Sequence, residues 1–294
     1  MSQPVIDLTR GALSARRRIT NQLALGAIGL ALVIAVIPLG LVVYSVIAKG
    51  SGVMSGEFLT ADISLSQRRA GGGMGPAIVG TLLITGMAAL MAIPLGVLGA
   101  IYLNEYGKQK PLARLIRMLA DIMTGVPSIV MGLFIYTIWV LTFEARTGFA
   151  GALALACLML PVVIRSTEEM LKLVPDELRQ ASLALGARKW RTTVTVVLPA
   201  AVSGITSGAL LAIARAAGET APIVFVVGAV NNPNWNLFDG ESTALPAQIF
   251  SNASLPFQVS QDRAWGAALT LIAIVLIFTI VARIIANRFA IKER

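Results

Sequence analysis

The sequence predicts an all-α integral membrane protein that crosses the bilayer six times. Apolar residues make up 56% of the 294 residues and charged residues only 13%. Several apolar runs reach about 20 residues, enough to span roughly 30 Å of hydrocarbon. Basic residues sit in short clusters between these runs, as topology signals do. The expected spans are residues 22–48, 77–102, 112–141, 149–164, 193–230 and 264–285.

The first segment, 1–21, is a polar tail carrying Arg10, Arg16, Arg17 and Arg18. The apolar run at 22–48 is too long for a signal-peptide core and has no small-residue cleavage pattern, so it reads as a retained first transmembrane helix. With the tail inside, Lys and Arg fall in inner segments as four before the first span, four at 108–117, six at 165–191 and four from 283 on. Only Lys49, Arg68, Arg69, Arg146 and Arg263 face outward, and Arg215 lies within a span. This asymmetry predicts both termini in the cytoplasm.

Gly71-Gly72-Gly73-Met74-Gly75 invites a phosphate-cradling reading. No Lys-Ser/Thr pair follows and no strand and helix flank it, so it reads as a flexible lead-in to the second span. With no nucleotide site elsewhere, any ATP-driven work must come from a partner. The second span holds Gly80, Pro94, Gly96 and Gly99, which permit close helix approach, a kink or a moving element. In the third, Arg117 and Asp121 stand four apart and read as a structural ion pair. Its apolar pattern breaks at Gly125-Val126-Pro127-Ser128, with Pro127 a candidate hinge.

The fourth span is short and ends at Pro161 and Arg165, with Cys157 inside it as packing. The next stretch alternates charged and apolar residues. Pro175 suits a helix start, Asp176 and Glu177 favour its N-terminal dipole, and Gly186 is a plausible stop. A short amphipathic helix at the inner surface follows.

The fifth span is expected as one apolar segment of about 30 residues from Pro199 to Val230, roughly 45 Å if helical. Arg215 falls near its middle, where a charge costs from about 2.5 kcal/mol upward and needs a partner or water. Glu219, four residues on, shares its face. Two readings stand: a structural pair, or a guanidinium offering planar donors to a crossing oxyanion, with Glu219 holding it when no anion is present. Gly218 removes bulk, Pro222 removes a backbone donor, and Thr220 can satisfy a freed carbonyl, which makes a hinge credible. The outer loop 231–262 carries an apolar patch, Leu245 to Phe250, that either meets a partner or caps the pathway. Asn252-Ala253-Ser254 is too short a glycosylation pattern to count.

Composition also excludes functions. There is no histidine and one cysteine, which removes His-centred catalysis, His or multi-Cys zinc sites and internal disulfides. No cofactor is expected. The formal charge of +9 is dispersed between spans, so nucleic acid is not an expected partner.

Gln180-Ala181-Ser182, three residues, Gly186, nine residues, then Val196-Val197-Leu198-Pro199 resembles the signature of ABC importer membrane subunits: Glu-Ala-Ala, Gly and Ile-x-Leu-Pro at the same spacing. Gln180, Ser182 and Val196 depart from it; Gly186 and Leu198-Pro199 match. The resemblance covers about residues 73–285. It implies a type I ABC importer permease fold with a five-helix core, preceded by the first helix and followed by a cytoplasmic tail at 286–294. It also implies a coupling helix at about 175–186 that docks on an ATPase through Asp176, Glu177, Gln180, Ala181, Ser182, Leu183 and Gly186. Gly80-Thr81-Leu82, Pro94-Leu95-Gly96, Ile101 to Tyr106, Gly125 to Leu133 and Ala214 to Pro222 look like the A-type permease of phosphate importers.

That narrower resemblance implies phosphate as cargo, a heterodimer with a C-type permease, an ATPase dimer, an extracytoplasmic phosphate-binding protein and the bacterial cytoplasmic membrane. ATP hydrolysis would reside in the partner chain. Arg215, Glu219 and Thr220 would line the pathway and Gly218, Pro222 and Pro127 would act as hinges. The alternatives are a permease for another oxyanion such as sulfate, molybdate or phosphonate, and an ATP-independent anion channel. An integral-membrane enzyme would have only Asp121, Arg215 and Glu219 inside to work with.

Overall fold

The computed structural model describes residues 15–289, and among them every regular element is helical. Arg10 and the other residues of 1–14, and the end of the expected tail from 290, lie outside the described residues. The chain divides into two compact units at Ala48. The first is essentially helix α1 (Ala15–Gly50), mostly apolar between the polar residues of its first turns and Lys49 in its last, with Pro38 inside it. It extends the expected first span in both directions.

The second unit is built on α2 (Gly75–Ile101) and α5 (Gly148–Leu173), which pack side by side. Their interface is a core of Ile84, Ala88, Ala92, Ala152, Leu155, Met159 and Val163, all nearly or fully buried. Small side chains let the backbones approach closely, and dispersion replaces the hydrophobic drive that lipid cannot supply. Between them in the chain come α3 (Pro111–Gly125) and α4 (Ser128–Ile135), the latter prolonged helically to Phe143. The surface helix α6 (Asp176–Ala184) leads, through a helical segment from Lys189, to α7 (Leu198–Ala217). The short α8 (Ala221–Val226), then α9 (Leu245–Ala253) and α10 (Gln258–Phe289), complete the unit.

Among the described residues five helices are long and apolar enough to cross a membrane, and a sixth crossing exists if the bent pair 111–143 counts as one. Four expectations need correction. The fourth span is not short: α5 runs nine residues past Ile164, its late charges Arg165 and Glu168 paired with Asp121 and Arg117 of α3 and Glu168 also with Lys172 of α5 itself. The fifth is not one helix: it stops at Ala217 and restarts at Ala221. The last helix begins at Gln258, not 264. The glycine lead-in is pinned rather than flexible: the Gly73 N–H donates to the Asp62 carbonyl at 2.8 Å and that of Met74 to Phe58 at 2.7 Å. Nearby, the buried Arg263 guanidinium donates to the carbonyls of Ser66, Arg69 and Gly71.

The apolar patch of the 231–262 loop packs inward. Leu245, Pro246 and Ala247 are buried in α9, while Phe250 is exposed. At Gly80 a side chain would strike the Thr243 carbonyl, and the Thr81 hydroxyl accepts the Leu245 N–H at 2.8 Å. The Gly80-Thr81 pair thus clamps the chain leading into α9 onto α2.

Candidate translocation site and coupling surface

Two helix breaks make the site. Val126 precedes a proline and is extended, with ψ 128°, so α3 ends there. Pro127 then starts α4, its carbonyl accepting the Val130 N–H at 2.9 Å, and the chain turns by 103°. In the second break, Gly218, Glu219 and Thr220 separate α7 from α8, and Pro222 occupies the first turn of α8, where its missing N–H costs nothing. The restarted helices α4 and α8 pack on each other at Gly132, where an added Cβ would come within 2.5 Å of the Pro222 Cα. Only glycine permits that approach.

The breaks face one another across a crevice of about 140 Å³. Thr124, Val126 and Ser128 line it from one break, Arg215 and Glu219 from the other, and Pro161 from α5. Arg215 stands in the last turn of α7, not in the middle of an unbroken span as expected. Its Nε lies 3.6 Å from Glu219 Oε1, an ion pair too long for a hydrogen bond. The Arg215 side chain is 71% exposed and Glu219 22%. A loosely held guanidinium that shares a crevice with the side chains of Thr124 and Ser128 can turn its donors to an oxyanion, which a fully bonded one cannot. Thr220 lies within the break and directs its hydroxyl to the Gly218 carbonyl at 3.5 Å; it does not line the crevice.

On the surface of this unit stands α6, none of its residues buried. Pro175 is its N-cap, Asp176 and Glu177 occupy its first turn, and Gly186 takes φ +82° just past it, a left-handed conformation natural to glycine. The Ala187 N–H closes back on the Ser182 carbonyl at 3.2 Å. Asp176, Glu177, Gln180, Ala181, Leu183 and Leu185 are all exposed, so α6 offers leucines and acids together on its free surface. Ser182 differs: its hydroxyl pairs with that of Thr192 at 2.9 Å, turning it toward the body of the protein.

The expected Arg117–Asp121 pair does not form. Arg117 instead meets Glu168 of α5 at 2.8 Å, and Asp121 meets Arg165, also of α5. Glu168, 1% exposed, requires positive partners: Arg117 reaches it from α3, and Lys172, one turn along α5 itself, pairs with it at 3.0 Å. Glu105 is likewise buried and held by Arg179 at 3.0 Å. Sequence reading missed both buried acids, since the carboxylates stand 51 and 74 residues from their arginines. Among the described residues no group of His, Cys, Asp and Glu is placed to hold a metal ion.

Interrupted helices that meet at a crevice, together with an exposed surface helix, are features that a membrane transport component can use. The family model described as "Binding-protein-dependent transport system inner membrane component" matches residues 92–292. Among solved structures, a bacterial alginate ABC transporter in complex with an alginate-pentasaccharide-bound periplasmic protein aligns with TM-score 0.63 at 14% identity, covering 93% of this chain and 97% of that one. The inward-facing MetNI methionine ABC transporter aligns with TM-score 0.58 at 18% identity, covering 74% and 95%. These likenesses concern the fold alone.

Sequence similarity is closer. "Phosphate transport system permease protein PstA 1" of Mycobacterium tuberculosis, strain CDC 1551, is 42% identical over 100% of this chain and 97% of its own length. "Phosphate transport system permease protein PstA" of Yersinia pestis is 45% identical over 83% of this chain and 82% of its own. The chain belongs to the PstA family of phosphate transport system permease proteins. It is a multi-pass inner-membrane protein with the fold of type I ABC importer permeases.

Proposed function

We propose that this chain is the membrane subunit through which an ATP-driven importer carries inorganic phosphate into the cell by alternating access. The observation that carries the reading is full-length similarity, at 42% identity, to a permease named for phosphate transport. The crevice between the broken helices suits that role. Arg215 presents charge-assisted donors to the anion, and Glu219 competes for the same guanidinium, so the anion is bound and also released. Gly218, Pro222 and Pro127 are the points where the helices flex, and Thr220 sits within that flexing segment.

Residues 73–285 form the transport domain in this reading, with both termini cytoplasmic. ATP is hydrolysed by a separate ATPase dimer that receives α6 through Asp176, Glu177, Gln180, Ala181, Leu183 and Gly186, with Ser182 bracing the helix from behind. A C-type permease completes the pathway across the bilayer, and an extracytoplasmic phosphate-binding protein delivers the anion. The chain itself contributes no catalytic residue.

The choice of anion is tested by competition. In proteoliposomes holding the full complex, with labelled phosphate at saturating concentration, unlabelled phosphate at tenfold excess is expected to cut labelled phosphate uptake by roughly 90%, by dilution of the label at the occupied site. Sulfate, molybdate and phosphonate at the same excess are expected to leave uptake within about twofold, since delivery and pathway together discriminate. Equal competition by sulfate would reassign the cargo to oxyanions in general.

A further inference from the structure

α6 is held to its own chain almost without apolar packing: none of its residues is buried. Its leucines are exposed, so something else must keep it in register with the body. Arg179 does so. All five of its N–H donors are used: two on Glu105 Oε1 at 3.0 and 3.2 Å, one each on the Val174 and Leu171 carbonyls at 2.6 and 2.7 Å, and one on Asp176 at 3.1 Å. Glu105, only 5% exposed, lies in the wider π-type turn Tyr102–Gly107 that continues α2. That turn ends at Lys108 with φ +31°, a conformation an L residue holds only when its surroundings fix it.

The surroundings that fix it belong to α3. Arg117 donates to the Leu103 carbonyl at 2.8 Å and the Lys108 carbonyl at 2.9 Å, while its Nε is held by the buried Glu168 at 2.8 Å. One turn is therefore gripped from two sides, by α6 through Arg179 and Glu105 and by α3 through Arg117. α3 in turn ends at the break whose Thr124, Val126 and Ser128 line the crevice with Arg215.

We propose that Glu105, Arg179 and Arg117 form a mechanical relay: displacement of α6 is passed through the Tyr102–Lys108 turn to α3 and so to the break that shapes the crevice. These are positioning residues, acting through the elements they join rather than on the anion. The inference rests on the reading of α6 as the coupling helix. Charge-assisted hydrogen bonds suit the task because they are directional and stiff where apolar packing of an exposed helix is absent.

The test is Glu105→Gln in the complete complex of both permeases, ATPase and binding protein in proteoliposomes. The relay predicts that phosphate uptake per ATP hydrolysed falls about tenfold while the ATPase still co-purifies. Uptake per ATP within twofold of the unmutated complex overturns the relay. If Glu105→Gln fails to assemble, Arg179→Lys decides, since it keeps a charge on Glu105 but loses the carbonyl clamps. Uncoupled hydrolysis by that variant supports the relay, whereas normal coupling or renewed loss of assembly overturns it. An unmutated complex that takes up no phosphate would instead contradict the functional reading, which keeps the two failures apart.

Discussion

Aspartates at both Leu183 and Leu185 are expected to abolish phosphate uptake and to strip the ATPase from the purified complex, while the chain stays folded in the membrane. The two side chains are 46% and 89% exposed, so replacing them opens no cavity in this chain. An exposed leucine on a short helix beside acids gains its energy only when another surface covers it. Covering a new carboxylate without a partner costs several kcal/mol, and two of them exceed what a small docking helix contributes. Pull-down of the ATPase with the variant chain is the direct check, with circular dichroism confirming helix content. Retained ATPase and uptake within twofold would mean that α6 meets lipid or solvent rather than a motor.

Arg215→Gln is expected to lower uptake about a hundredfold or more with assembly and hydrolysis retained. A charged donor to an anion contributes about 1.5–3 kcal/mol per hydrogen bond, and the planar guanidinium can present two at once. Glutamine keeps polarity but offers neither the charge nor the paired geometry. Stability changes little, because the side chain is 71% exposed and its pair with Glu219 is loose, the kind of contact whose loss costs under about 1 kcal/mol. Arg215→Lys is expected to fall between, with charge but a single point of contact. Loss of assembly in Arg215→Gln would make the pair structural and move the anion's path elsewhere.

Much of this was legible in the chain because the physics is local. The apolar runs, the start of α6 at Pro175, its end at Gly186, and the proline that interrupts 111–143 each depend on residues a few positions apart. The break after Ala217 was legible only as a hinge. Gly218 and Pro222 signalled weakness, yet whether a helix bends or stops there is decided by what packs on the restarted piece, here Gly132 of α4.

Long-range compensation was not legible. The run Arg165, Glu168, Glu169, Lys172 reads as the end of a span, but α5 continues because Glu168 is neutralised by Arg117 from α3. For the same reason Arg117 and Asp121, correctly spaced to pair along one helix, part company to satisfy α5. The crevice is hidden likewise: Val126 and Arg215 are distant in sequence, and nothing local to either announces that the two breaks meet.

The most direct measurement is the accumulation of labelled phosphate in proteoliposomes containing this chain, its partner permease and the ATPase, with binding protein supplied on the delivery side. Accumulation that requires ATP together with every component is the predicted result. Phosphate passage at the same rate without ATP or without the ATPase would contradict the account, and would make the chain a passive anion channel.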